Sequence, residues 1–135
     1  RLAETLKHFA SKRAMNIEGL GDKWIDILLE KKLIHHFSSL YDLTPELLQT
    51  LERQGERSAQ KLCDAIQKTK SNTLDRFIFA LGIRFVGERT AELLALHFGT
   101  LNKFLNASEA ELLHVEEVGE KVASAILQFI SDKKI

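Results

Sequence analysis

The sequence predicts an all-α fold built from two tandem copies of one helical unit, and three observations predict it. First, four seven-residue segments align without gaps: Ile17 to Lys23, Leu51 to Arg57, Ile83 to Arg89 and Val115 to Lys121. Each has an aliphatic residue four positions before a glycine, and an acid and then a base directly after it. The glycines Gly21, Gly55, Gly87 and Gly119 are spaced 34, 32 and 32 residues apart, a period typical of repeated supersecondary units. Second, apolar residues recur at fixed distances downstream of each glycine. Third, no stretch alternates apolar and polar residues in the manner of a strand.

The downstream pattern defines a helix in each copy. Four residues past the glycine stand Ile25, Ala59, Ala91 and Ala123; seven past it stand Leu28, Leu62, Leu94 and Ile126; eight past it stand Leu29, Cys63, Ala95 and Leu127. Offsets of 4, 7, 8 and 11 are read as one helical face, so a helix is expected to start at each glycine and bury that face. Alanine at offset 4 allows a partner helix close approach. The first copy has Ile25 there and Lys32 at offset 11, so its packing is expected to differ.

A longer period is superimposed. Thr44 and Ser108 each lie eleven residues before a repeat glycine. Thr44 precedes Pro45, which suits a first helical turn, and Ser108 with Glu111 makes a capping box. Both are expected to open a short helix leading into an even-numbered motif. The helices leading into the odd motifs are expected to include Ser11 to Met15 and Thr73 to Leu81. The division this implies is residues 1–70 and 71–135, each with two hairpins and a connecting helix, together one compact domain.

Composition narrows the function classes. The chain has 135 residues, 44% of them hydrophobic, with one proline. No apolar run is long enough to cross a membrane. Arg1-Leu2-Ala3-Glu4 lacks the apolar core of a signal peptide. With no initiating Met, and a start that reads as helix, the chain is expected to be a piece of something longer. Cys63 is the single cysteine, which excludes an internal disulfide framework and a cysteine-rich metal site and fits a reducing compartment. It occupies a core offset and reads as a small buried apolar residue. His8, His35, His36, His97 and His114 show no zinc-ligand spacing. Glu116 and Glu117 are chain neighbours and do not face each other, so they make no catalytic pair. No catalytic residue and no metal site is expected in this chain.

Chemistry is concentrated at the glycines. A helix N-terminus presents unpaired backbone N–H groups and a partial positive charge, a combination that binds phosphate. Glycine there removes the Cβ that would hold a phosphate off. The base two positions on (Lys23, Arg57, Arg89, Lys121) sits in the first turn, which the helix dipole disfavours for a cation; its recurrence in all four copies points to an anionic ligand. The acid between (Asp22, Glu56, Glu88, Glu120) suits the dipole. The candidate phosphate-binding residues are Gly19, Gly21, Lys23, Arg53, Gly55, Arg57, Arg84, Gly87, Arg89, Gly119 and Lys121. Main-chain amides contact phosphates without reading bases, so recognition is expected to be independent of nucleotide sequence, with paired hairpins gripping both strands across a minor groove. Lys12 and Arg13 are read equally as further phosphate contacts or as solvated surface, and Trp24 as packing on a neighbouring hairpin or touching DNA. Against this stands the charge: 19 basic and 19 acidic residues give a net of +0, where a free-standing nucleic-acid binder is usually basic.

The pattern aliphatic-x-x-aliphatic-Gly-x-(Lys/Arg)-x-Ala resembles the helix-hairpin-helix (HhH) motif of DNA repair and recombination proteins. The segments from Phe9 to Lys23, Leu51 to Gln60 and Phe77 to Glu88 resemble the helix-hairpin-helix domain of bacterial NAD-dependent DNA ligase. The resemblance runs over nearly the whole chain and implies four helix-hairpin-helix motifs arranged as two tandem duplicated (HhH)2 units. It implies binding to the minor groove around a nick in double-stranded DNA, and a part in encircling the duplex. It places the family's other parts outside this chain: a four-cysteine zinc finger, a nucleotidyltransferase domain with its Lys-x-Asp-Gly motif and a BRCT domain, together using NAD, Mg and Zn. No Lys-x-Asp-Gly occurs here. The implied setting is DNA replication and repair in the bacterial cytoplasm, on the nucleoid. The copies depart from the ideal motif. Only the first has a second glycine, Gly19; Arg53, Phe85 and Glu117 replace it elsewhere. Gln54 is polar where the others have Leu20, Val86 and Val118. The fourth hairpin carries Glu116 and Glu117 and ranks lowest as a phosphate binder. Other parents with tandem motifs, an excinuclease subunit or a Holliday-junction branch-migration protein, and a helical protein–protein scaffold, are the alternatives.

Overall fold

Every regular element in the computed structural model is helical among the residues it describes, 2–51 and 56–132. The chain divides into two compact units, Arg1–Asn72 and Thr73–Lys134.

The first unit runs α1 (Leu2–Ala10), α2 (Asp22–Glu30), a 3-10 turn (Phe37–Asp42), α3 (Pro45–Leu51), α4 (Glu56–Lys68) and a closing 3-10 turn (Thr69–Ser71). Helix α1 packs on α2, and α3 on α4. Leu6, Phe9, Ile25, Leu28, Leu40, Leu48 and Ile66 are buried in its core, with Phe9 stacked on Phe37 at 4.6 Å between ring centroids. Thr69 Oγ1 donates to the Ile66 carbonyl at 2.6 Å, which commits its only proton. The Tyr41 hydroxyl, 2.6 Å away, is therefore the donor in their shared bond. That bond joins the 3-10 turn to the end of α4, and desolvation raises the Tyr41 pKa, keeping the phenol protonated as the bond requires.

The second unit runs α5 (Leu74–Ala80), α6 (Glu88–Phe98), α7 (Leu101–Leu105), α8 (Glu109–Leu113) and α9 (Glu120–Ser131). Helix α5 packs on α6, α6 on α7, and α8 on α9. Thr100 caps α7 by accepting from the Lys103 amide. Ser108 and Glu111 form the reciprocal capping box that their spacing anticipates. Gly99, at φ 76°, ends α6. Ile78, Leu81, Leu94, Phe104, Leu112 and Ile126 are fully buried.

Two expectations need correction. Ser11 to Met15 is a turn, not a helix. The Ser11 hydroxyl donates to the His8 carbonyl at 2.6 Å, offering that carbonyl a partner other than the next helical amide. The chain then folds back, with the Met15 amide on the Phe9 carbonyl and the Ile17 amide on the Ala10 carbonyl. Thr73 to Leu81 does form a helix, with Thr73 as its N-cap. The buried helical face is also narrower than expected. Offsets 4 and 7 are buried in all four copies, but at offset 8 only Cys63 is buried, and Leu29, Ala95 and Leu127 are half-exposed. At about 100° per residue, offset 8 lies roughly 60° from the centre of the stripe made by 4, 7 and 11. Ile25 is buried like the alanines at its offset, whereas Lys32 is exposed where Ile66 and Phe98 are buried.

Candidate nucleic-acid interface

Three hairpins are described, and each is one turn anchored by two aliphatic residues. The Leu20 amide donates to the Ile17 carbonyl, Val86 to Ile83, and Val118 to Val115, at 3.3, 3.0 and 3.1 Å. All six side chains are buried. The third residue of each turn is left-handed: Gly19 at φ 92°, Phe85 at φ 71° and Glu117 at φ 69°. The second residues, Glu18, Arg84 and Glu116, are not among the positive-φ positions, so the turns have type II character, which favours glycine at the third position. The buried ends fix the turn on the core and leave the two middle residues of each turn exposed. The first and third hairpins share a further left-handed residue three positions earlier, Asn16 and Gly82, which the fourth lacks.

A helix starts directly after each turn. Gly21, Gly87 and Gly119 are the N-caps of α2, α6 and α9, with φ of −91°, −92° and −95° and ψ of −174°, −168° and −171°. This is extended backbone that any residue adopts. A Cβ built on any of the three meets nothing within 4 Å. Neither backbone conformation nor internal packing therefore calls for glycine here. No side chain caps these helices, and the first intrahelical bonds come from the amides of Ile25, Ala91 and Ala123. The amides before those have no carbonyl within the helix to bond. Asp22, Glu88 and Glu120 occupy the first turns, as the dipole favours.

The bases Lys23, Arg57, Arg89 and Lys121 are all exposed. Arg89 lies 3.9 Å from Glu92, both well exposed, a pair of the kind that holds a side chain only weakly. In the first unit a Cβ on Gly19 would sit 3.8 Å from Leu62 of α4, so the first hairpin rests against the helix that carries Arg57. A groove of about 500 Å³ runs there, lined by Glu18, Gly19, Trp24, Ser58, Lys61 and Leu62 among others. Half-buried Trp24 thus faces α4. Arg53 and Gly55 lie outside the described residues. In the second unit Arg84 and Lys121 converge on one ring: their charged groups stand 5.1 and 5.7 Å from the Phe85 centroid. The third hairpin and the start of α9 therefore share a surface carrying Arg84, Gly87, Gly119 and Lys121. Phe85 itself, 47% exposed, was legible in the sequence only as a missing glycine.

Cys63 is buried with its Sγ 3.8 Å from the Leu43 carbonyl. Burial, then Asp64 and Glu46, push the thiol pKa up, which suits a packing residue and not a nucleophile. Among the described residues no group of three or more His, Cys, Asp or Glu is placed to hold a metal ion, and no helix is long and apolar enough to cross a membrane.

Residues 76–135 match the family model described as the helix-hairpin-helix motif. The chain is 52% identical over 132 residues to a protein named DNA ligase from Bdellovibrio bacteriovorus, covering 98% of this chain and 19% of that protein. It is 47% identical over 132 residues to the DNA ligase of Koribacter versatilis, 98% and 20% respectively. It is 44% identical over 135 residues to that of Bacillus licheniformis, 100% and 20%. Over its whole length the chain is similar to one segment of these bacterial DNA ligases, and its residues 76–135 carry the helix-hairpin-helix motif. That segment spans about one fifth of the relatives it matches, and the turns at 83–86 and 115–118 fall within the matched residues 76–135.

Proposed function

We propose that this helix-hairpin-helix segment binds double-stranded DNA through its phosphates, independently of sequence, and serves nick recognition and encirclement of the duplex within an NAD-dependent DNA ligase. One observation carries the reading. Three glycines adopt the same extended N-cap conformation with no side-chain cap and open space where a Cβ would be, a geometry that lets a phosphate approach first-turn amides. The exposed bases two residues on, Lys23, Arg89 and Lys121, and Arg57 of the second copy, add charge-assisted contacts. Gly19, Arg53, Gly55 and Arg84 complete the set, and the two units act as duplicates, each presenting a pair of hairpins to one groove. Sealing chemistry, with NAD, Mg and Zn, belongs to other domains of a longer parent acting on nucleoid DNA in the cytoplasm.

The test is a triple variant. Replacing Lys23, Arg57 and Arg89 by Glu is expected to abolish binding of a labelled nicked duplex in fluorescence anisotropy while helical circular dichroism and melting stay unchanged. Unaltered affinity would reject the reading in favour of a helical scaffold.

A further inference from the structure

We infer that Phe85 is the apolar contact of this interface, packing on the sugars and base edges of the minor groove while Arg84 and Lys121 hold phosphates on either side. The inference rests on the proposed duplex binding and adds a residue of different chemistry to it. Three observations carry it. The phenylalanine occupies the left-handed position of the third hairpin, φ 71°, where an aromatic residue is strained and glycine is not. The residue nevertheless remains 47% exposed, so much of it is left unburied by the fold. Two cations from different motifs, Arg84 and Lys121, stand 5.1 and 5.7 Å from its centroid. A strained, exposed aromatic with two cations close against it fits a groove whose floor is apolar and whose walls are phosphate. Minor-groove proteins use apolar side chains in this way beside basic ones.

The chemistry separates an apolar contact from an ionic one through salt. Each phosphate contact adds about 0.9 to the log–log slope of affinity against salt, whereas an apolar contact adds nothing. Binding of a labelled nicked duplex is measured for the 135-residue chain over a salt series, alongside thermal melting. Phe85→Ala and Phe85→Gly are expected to weaken binding about tenfold at every salt concentration, on the scale of aromatic contacts with nucleic acid, with the slope unchanged. The Gly variant, relieved of strain, is expected to melt no lower than the parent. Arg84→Gln and Lys121→Gln are each expected to lower the slope by about 0.9. Two results overturn the inference: unchanged affinity in both Phe85 variants, or a loss that brings the slope down with it, which would make the ring only a rest for the cations. An unsubstituted chain that binds no duplex even at low salt would overturn the underlying proposal too, and is distinguished by the absence of any slope.

Discussion

Glu117 shows what a single residue contributes to a hairpin. It holds φ 69° at the turn position that Gly19 occupies in the first copy, and its carboxylate is exposed beside the start of α9. A non-glycine residue in this region costs on the order of 1–3 kcal/mol, and glycine returns about 0.5–1 kcal/mol of that through the greater freedom of its unfolded chain. Glu117→Gly is therefore expected to stabilise the chain by up to about 2 kcal/mol, raising the melting temperature by several degrees. It also removes a negative charge from the hairpin with the most acidic turn, so duplex affinity is expected to rise. Glu116→Gln, in the same turn without a positive φ, separates the effects: it should raise affinity without raising the melting temperature. A less stable Glu117→Gly chain would mean the turn is not strained there.

Across an element, the hairpin and the helix it starts divide stability from binding. Ile83 and Val86 bury the turn, and Ala91 and Leu94 bury the helix, yet Gly87 between them contacts nothing that a Cβ would disturb. Asp suits the extended N-cap conformation and accepts from first-turn amides, giving a few tenths of a kcal/mol over glycine. Gly87→Asp is thus expected to melt at or slightly above the parent temperature while weakening duplex binding, because its carboxylate occupies and repels where a phosphate would sit. Loss of the fold would make the glycine structural; unchanged binding would remove the third hairpin from the interface. The sequence made this element readable because burial at offsets 4 and 7 is periodic and the glycine spacing is nearly constant. It left Ser11 to Met15 unreadable. There the outcome turned on one local bond, Ser11 to the His8 carbonyl, which leaves no periodic signature. The left-handed turn position was hidden for a related reason: a glycine marks it in one of the three described copies, and strain is not spelled in residue type.

At the scale of the whole molecule, the zero net charge is unevenly spread. Residues 1–72 hold 12 basic and 10 acidic residues, and residues 73–135 hold 7 and 9, so the units carry +2 and −2. Neither sign is large enough to draw DNA from a distance, and at physiological salt charges beyond about 8 Å are screened. On the proposed reading, attraction is left to the contacts themselves, at the amides and the bases beside them. With one phosphate per hairpin, four hairpins give a log–log salt slope near −3.6, from about 0.9 per contact. That is modest, and within the proposed longer ligase no more is needed, because linkage to other DNA-binding parts would supply effective concentration. The isolated chain is therefore expected to bind a nicked duplex with a Kd above about 1 μM at physiological salt and to tighten steadily as salt is lowered. Titration of the 135-residue chain by anisotropy decides it. A sub-micromolar complex would mean that the hairpins hold more phosphates than one each, and the slope, steeper than −3.6, would report how many more.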